Sequence, residues 1–259
     1  LGTSPMIAPT VGGYVTDSFG WQTIFVILGI MGICLLMAVR FILPVSYQAD
    51  PGYSLKPAPI IRNFMLVLSE RQFLTYALAG ATAFAGLFVY VSGSPQVFME
   101  IYRLDGKMFG WIFAGLSVGF IGAGQISTLL LKKFSSQQIV YTSLLCQAIS
   151  AVIFLGLSVN HLMDMYATIF FIFIFLFCLG LVIPNTSALA LAPFETNAGS
   201  ASSLLGVFQM TIGAMASTGI SLFHARTTTP MILIMTIASL TALIILMIGR
   251  RKMANAVSL

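Results

Sequence analysis

Five polar side chains lie inside long apolar stretches of the sequence, where they could take part in chemistry. They are two hydroxyls and three amides: Tyr90, Ser94, Gln125, Asn185 and Gln209. Such groups donate and accept hydrogen bonds without changing charge near neutral pH. They can orient a mostly apolar molecule in a cavity, and they can equally hold two helices together. The residue types leave both interpretations open.

The titratable side chains do not form a catalytic or metal-binding pattern. His161 and His224 are far apart in sequence, and neither has a cysteine or carboxylate at ligand spacing. Five carboxylates fall in connections between apolar stretches: Asp17, Glu100, Asp105, Asp164 and Glu195. A solvated charge is expected at such positions. We therefore expect no catalytic residues, no metal site and no cofactor.

The composition is that of a membrane protein. Hydrophobic residues make up 58% of the 259 and charged residues 7%, against ~25% charged in a typical soluble domain. Seven uncharged runs each exceed the ~20 residues that a helix needs to cross the hydrocarbon core. They cover 18–39, 72–99, 108–131, 134–163, 165–194, 196–225 and 227–249. With the apolar start, this predicts an all-α polytopic protein with eight spans.

The positive charges indicate orientation rather than nucleic-acid binding, because Lys and Arg sit at the ends of spans. Alternate connections differ in their Lys and Arg content. One set has nine such residues, in 40–71, 132–137, 192–198 and the tail from 250, and the other set has three. By the positive-inside rule, the tail 250–259 is expected on the cytoplasmic side.

A long connection divides the chain. Residues 44–71 contain four prolines and a glycine before several charges, which predicts a cytoplasmic linker between two bundles. Residues 1–43 would then hold the last two helices of one bundle, and 72–249 a six-helix bundle. Within the linker, 60–68 has apolar residues at helical spacing. Two interpretations stay open: a short helix on the inner membrane surface, or an extension of the next span.

Two sets of small residues predict close helix packing. In the apolar start the set is Pro5, Pro9, Gly12 and Gly13, and in the span 108–131 it is Gly115, Gly119 and Gly122. Each set has spacings of three or four residues, so its members share one helix face with little side-chain bulk. For the first set, an ordinary proline-kinked helix is an equally good interpretation.

Three blocks of sequence resemble one family. They are PMIAPTVGGYV with GWQTIF near the start, YVSGSPQVFMEIYRLDGKMFGWIFA at 90–114, and PNTSALAL with AGSASSLLGVFQ at 184–209. Together they resemble the bicyclomycin-resistance (Bcr/CflA-type) drug:proton antiporters of the major facilitator superfamily, over essentially the whole chain. The first block is similar to the antiporter signature on the fifth of twelve helices, although Ala8 stands where that signature usually has glycine.

The resemblance implies a partial major facilitator fold, with two helices of the first bundle and the complete six-helix second bundle. It implies a multi-pass protein of the bacterial inner membrane that exchanges small amphiphilic drugs for protons by alternating access. The energy source would be the proton gradient, without a cofactor. The resemblance further implies that Pro5, Pro9, Gly12 and Gly13 pack on the Gly115–Gly119–Gly122 face as a seal.

The resemblance also implies a missing partner and leaves alternatives. The proton-carrying acid would lie in the missing N-terminal half of the same protein, so the fragment alone would be inactive and the complete transporter a monomer. A facilitator-type exporter of amino acids or other metabolites is the alternative within the transporter class. A membrane-embedded enzyme or a non-transporting scaffold is the alternative from another class.

Overall fold

The computed structural model describes residues 12, 15–16, 18–42, 57–194, 197–221, 223 and 227–257. The chain divides into two compact units, residues 1–60 and 61–259. In the part described, seven helices are long and apolar enough to cross a membrane. They confirm the predicted all-α membrane protein. The eighth predicted span, at the apolar start, lies mostly outside the described residues.

The first unit contains helix α1, Gln22–Phe41. Gly20 precedes it with φ +81°, a left-handed conformation that glycine adopts without steric cost, so the chain can turn before α1 begins. The helix is apolar on every side, and none of its residues is buried within its own unit. Such a surface suits lipid or neighbouring helices, because it offers water no polar face.

A short helix, α2, occupies Pro57–Ser69 and is separate from the span that follows. Glu70 is extended, with φ −76° and ψ 115°, and its side chain accepts a hydrogen bond from the Gln72 N–H. This cap ends one helix and starts the next, so the structure favours a short separate helix over an extension of the span. The boundary between the units falls inside the predicted linker, between Ile60 and Ile61.

The second unit contains six long helices in its described residues. They are α3 Arg71–Pro95, α4 Gly106–Leu130, α5 Ser136–Val159, α6 Met165–Leu191, α7 Ala198–Ser221 and α8 Thr229–Val257. A π-helical turn, Gln96–Ile101, continues α3. Side-chain caps fix four of the starts: Glu70 before α3, Asp105 before α4, Ser135 before α5 and Asp164 before α6. Each cap satisfies an amide that the helix leaves free at its first turn.

Helix α3 is the centre of the bundle and packs against α6, α7 and α8, while α6 also packs against α4 and α5. Small residues on α3 make this possible. A Cβ added at Gly80 would collide with Thr186, and one added at Gly86 would collide with the Phe175 ring. In the most apolar 18-residue window of each span, 67% of the residues are buried for α3 but only 11% for α7. Helix α7 therefore leaves most of its surface uncovered within its own unit.

Candidate functional site

Tyr90 and Ser94 lie one turn apart near the end of α3, and both are fully buried. The Tyr90 ring stacks on Phe113 of α4, with ring centroids 5.5 Å apart. Its hydroxyl has no hydrogen-bond partner in the described structure, whereas the Ser94 hydroxyl donates to the carbonyl of Val91. A buried polar atom without a partner is costly. The Tyr90 hydroxyl therefore lacks, in the described structure, the hydrogen bond that a buried polar atom normally makes.

Aromatic rings surround this end of α3. Phe109 contacts both Phe98 and Phe113, and Phe98 also contacts Tyr102. The ring centroids are 5.9 to 6.2 Å apart and the ring planes are tilted. Tilted rings at these separations attract one another through their quadrupoles. The result is a closely packed aromatic cluster beside the Tyr90 ring.

Asn185 follows Pro184 in α6 and connects two helices. Its side-chain Nδ2 donates to Ser127 Oγ of α4 at 2.7 Å and to the Leu181 carbonyl at 2.8 Å. The residue is 2% exposed. The structure therefore gives Asn185 the interhelical hydrogen-bond role that the sequence left as one of two interpretations. Contact with a substrate stays a prediction.

The five polar residues do not all lie at one level of the bundle. Asn185 is beside Thr186, which packs on Gly80, and Gly80 is ten residues from Tyr90. At 1.5 Å per residue this places the two levels ~15 Å apart along α3. Gln125 is exposed on α4, and Gln209 is half-buried on α7. The structure brings Tyr90 and Ser94 together but does not place Asn185 beside them.

The predicted small-residue face on α4 is partly occupied within the second unit. A Cβ added at Gly119 would collide with the Phe173 ring of α6, whereas one added at Gly115 or Gly122 would meet no atom within 4 Å. Gly12 belongs to the first unit. The remaining members of its set, Pro5, Pro9 and Gly13, lie outside the described residues. Packing of the two sets on each other therefore stays a prediction.

Sequence reasoning missed the closest approach of α4 to α6. A Cβ added at Gly180 would collide with the Phe120 carbonyl and lie 2.8 Å from the Ala123 Cβ. The carbonyl of Gly180 is also 3.9 Å from a Cβ added at Gly124. The signal was present as Ala123-Gly124 and Gly180. It was masked because a better-spaced glycine series, Gly115 to Gly122, lies on the same helix.

A buried amide in α5 was also missed. Gln147 is fully buried, and its Nε2 donates to the Phe175 carbonyl of α6 at 3.3 Å. Its Oε1 has no partner among the described residues. The sequence signal that could have identified it is a single amide side chain within an apolar stretch. As for metals, the described residues contain no group of three or more His, Cys, Asp or Glu placed to bind one.

Comparisons with known proteins point to one family. The family model described as Major Facilitator Superfamily matches residues 1–220. The bicyclomycin resistance protein homolog of Haemophilus influenzae is 26% identical over 234 residues, which are 90% of this chain and 58% of the relative. The multidrug resistance protein MdtL of Escherichia coli is 31% identical over 209 residues, 80% of this chain and 50% of the relative.

One solved structure supports the fold. A bacterial homolog of the human lysosomal transporter Spinster, in an inward-facing and unoccupied conformation, has a TM-score of 0.50 to this chain at 13% identity. The likeness covers 94% of this chain and 61% of that one. The chain spans about half the length of the curated relatives it matches.

Proposed function

Because this chain belongs to the Major Facilitator Superfamily, whose model it matches over residues 1–220, we propose that it is part of a drug exporter driven by protons. The observation that carries this proposal is the match to relatives named for bicyclomycin resistance and multidrug resistance, over 90% and 80% of the chain. The family and the relatives are transporters rather than enzymes, so the alternative of a membrane-embedded enzyme is set aside.

The geometry around Tyr90 supports an amphiphilic substrate. The rings of Phe98, Phe109 and Phe113 make the surroundings of Tyr90 apolar and carry no fixed charge. The Tyr90 hydroxyl, which has no partner in the described structure, adds one donor that can orient a polar group. Mostly apolar walls with a few placed polar groups are usual for small-molecule sites. A ring-containing compound with a hydrogen-bond acceptor fits this description.

Proton exchange needs a group that titrates inside the membrane, and we place it outside this chain. The seven uncharged runs predicted as spans contain no Asp, Glu, Lys or Arg, and the charged residues within the helices that could span the membrane, such as Arg71 and Glu100, lie at helix ends. The matched residues cover only 58% and 50% of the two curated relatives, so those proteins are longer than this chain. In the proposed transporter, upstream helices of the same protein carry the acid. This chain supplies much of the cavity wall. Its C-terminal tail lies in the cytoplasm. One copy of the complete protein forms the transporter.

The proposed seal belongs to the same scheme. Pro5, Pro9, Gly12 and Gly13 would meet the face of α4 that carries Gly115 and Gly122. That face has no neighbour within 4 Å of an added Cβ at either glycine, so a second helix could approach closely there. Close approach of two helices at this point would limit leakage while the bundles change from inward-open to outward-open.

Ethidium accumulation tests the proposed function. The complete reading frame that contains this chain is expressed in bacteria that lack their major efflux pumps. We expect lower ethidium accumulation than in cells with the empty vector, and we expect a protonophore to abolish the difference. Unchanged accumulation of ethidium and of a panel of neutral drugs, together with increased export of amino acids, would instead support the metabolite exporter.

A further inference from the structure

An elongated apolar groove lies between α5 and α6, apart from the Tyr90 region. One part has a volume of about 420 Å³ and is lined by Thr142, Cys146, Phe173, Ile174, Phe177 and Leu181, among others. A second part of about 560 Å³ shares Thr142, Cys146 and Ile174 and extends to Ile153. From Thr142 to Ile153 the helix rises ~17 Å. This shape suits a hydrocarbon chain better than a compact solute.

The turn between α4 and α5 lies at one end of this groove. Leu181 and Phe177, which line the groove, cluster with Leu130 at the end of α4 and with Ile139 at the start of α5. Leu130 lies directly before the turn 131–134, and Ile139 lies in the first turn of the helix that follows it. The turn is therefore beside the groove, and all four of its residues are exposed: Leu131, Lys132, Lys133 and Phe134.

The charges on this turn have no acidic neighbour in sequence. Between Asp105 and Asp164 the chain has no Asp or Glu, so α4 and α5 offer Lys132 and Lys133 no carboxylate. A third cation lies near the same end of α5, where the Arg250 guanidinium sits 5.3 Å from the centre of the Tyr141 ring. An exposed aromatic and paired lysines at a span end are typical of the membrane interface.

We propose that the turn and the groove together bind one anionic glycerophospholipid. Its phosphate lies at Lys132 and Lys133, and one of its acyl chains lies in the groove between α5 and α6. The paired ammonium groups attract a negative headgroup, while the groove removes the chain from the surrounding lipid. This site is separate from the proposed drug site and needs no transport activity.

Quenching by brominated lipids tests the headgroup. The purified chain, carrying Trp21→Phe and Trp111→Phe so that Phe134→Trp is the only tryptophan, is reconstituted in phosphatidylcholine vesicles. Brominated phosphatidylglycerol should quench this tryptophan with roughly tenfold higher relative affinity than brominated phosphatidylcholine, because each lysine near an anionic surface contributes about fivefold before salt screening.

Two pairs of substitutions distinguish a specific lipid site at the turn from a general attraction of anionic lipid to positive surface charge. Lys132→Gln with Lys133→Gln should abolish the preference, whereas Arg103→Gln with Lys107→Gln removes the same charge at the opposite ends of α3 and α4 and should keep it. Equal quenching by the two brominated lipids in the single-tryptophan protein that keeps both lysines would overturn the proposal. A preference that survives the first pair, or that the control pair also abolishes, would overturn it too.

Native mass spectrometry of the purified chain with added phosphatidylglycerol tests the groove. Cys146→Phe places a ring in the groove and should lower the fraction with one bound lipid. Val152→Phe adds the same ring at an exposed position of α5 that does not line the groove, and it should leave that fraction unchanged. Equal effects of the two variants would contradict the proposed seat of the acyl chain.

Discussion

At Asn185, one side-chain nitrogen donates to Ser127 of α4 and to the Leu181 carbonyl within its own helix. At Tyr90, the hydroxyl has no partner in the described structure although the ring is fully enclosed. The sequence left the same two interpretations open for both residues, a hydrogen bond between helices or a contact with a substrate. Their surroundings distinguish a residue that connects two helices by a hydrogen bond from one whose hydroxyl makes no hydrogen bond in the described structure.

Removing the Asn185 amide should destabilise the bundle. Asn185→Ala loses the hydrogen bond to Ser127, and we expect the free energy of unfolding to fall by roughly 1 kcal/mol, as for other hydrogen bonds between membrane helices. Thermal unfolding of the purified chain in detergent would measure this. Gln125→Ala, at an exposed amide on α4, is the control and should change stability little.

Removing the Tyr90 hydroxyl should separate function from stability. Tyr90→Phe deletes a buried polar atom that has no partner, so the melting temperature should stay equal or rise slightly. Ethidium export by the complete reading frame should nevertheless fall if this hydroxyl orients the substrate. A clear loss of stability would show that the hydroxyl makes a stabilising hydrogen bond. Tyr90 would then have a structural role, as Asn185 does.

The helices themselves were predicted more closely than their contacts. The uncharged run 72–99 became a continuous span over Arg71–Ile101, and the run 134–163 became Ser136–Val159. Length and hydropathy decide where a span lies, and a capping box at Ser135 and Gln138 decides where α5 begins. Contacts were harder to predict because a glycine does not specify which neighbour it admits. On α4 the sequence favoured the better-spaced series Gly115 to Gly122, whereas Gly180 of α6 packs tightly on Phe120 and Ala123.

The close contact between α4 and α6 predicts that alanine at Gly180 destabilises the protein, whereas alanine at a glycine without close neighbours does not. Gly180→Ala would push a methyl group into the Phe120 carbonyl, which is backbone and cannot rotate away. We expect a loss of about 1–3 kcal/mol in the free energy of unfolding. Denaturation of the purified chain by sodium dodecyl sulfate is the measurement.

Gly156→Ala on α5 is the matched control for this substitution. A Cβ at that position meets no atom within 4 Å, so the variant should be neutral or gain about 0.5–1 kcal/mol from the lower backbone entropy of alanine. Equal losses in the two variants would show that helical glycine is needed generally and that the crossing is not special.

At the scale of the whole molecule, the resemblance predicts how the two bundles meet. Cysteines introduced by Gly13→Cys and Gly122→Cys should form a disulfide when the complete protein is oxidised in membranes, after its native cysteines are replaced by serine. The control pair, Gly13→Cys with Gly156→Cys, places the second cysteine on α5 and should stay uncrosslinked. Equal cross-linking of both pairs, or none of the first, would contradict the proposed seal.

The central claim is that this chain supplies part of a drug cavity but not the proton carrier. Proteoliposomes with an imposed pH gradient test it directly, with ethidium movement measured for the 259-residue chain and for the complete reading frame. The account predicts movement that depends on the pH gradient for the complete protein and none above empty liposomes for the chain alone. Export driven by the pH gradient from liposomes that hold only the chain would contradict it.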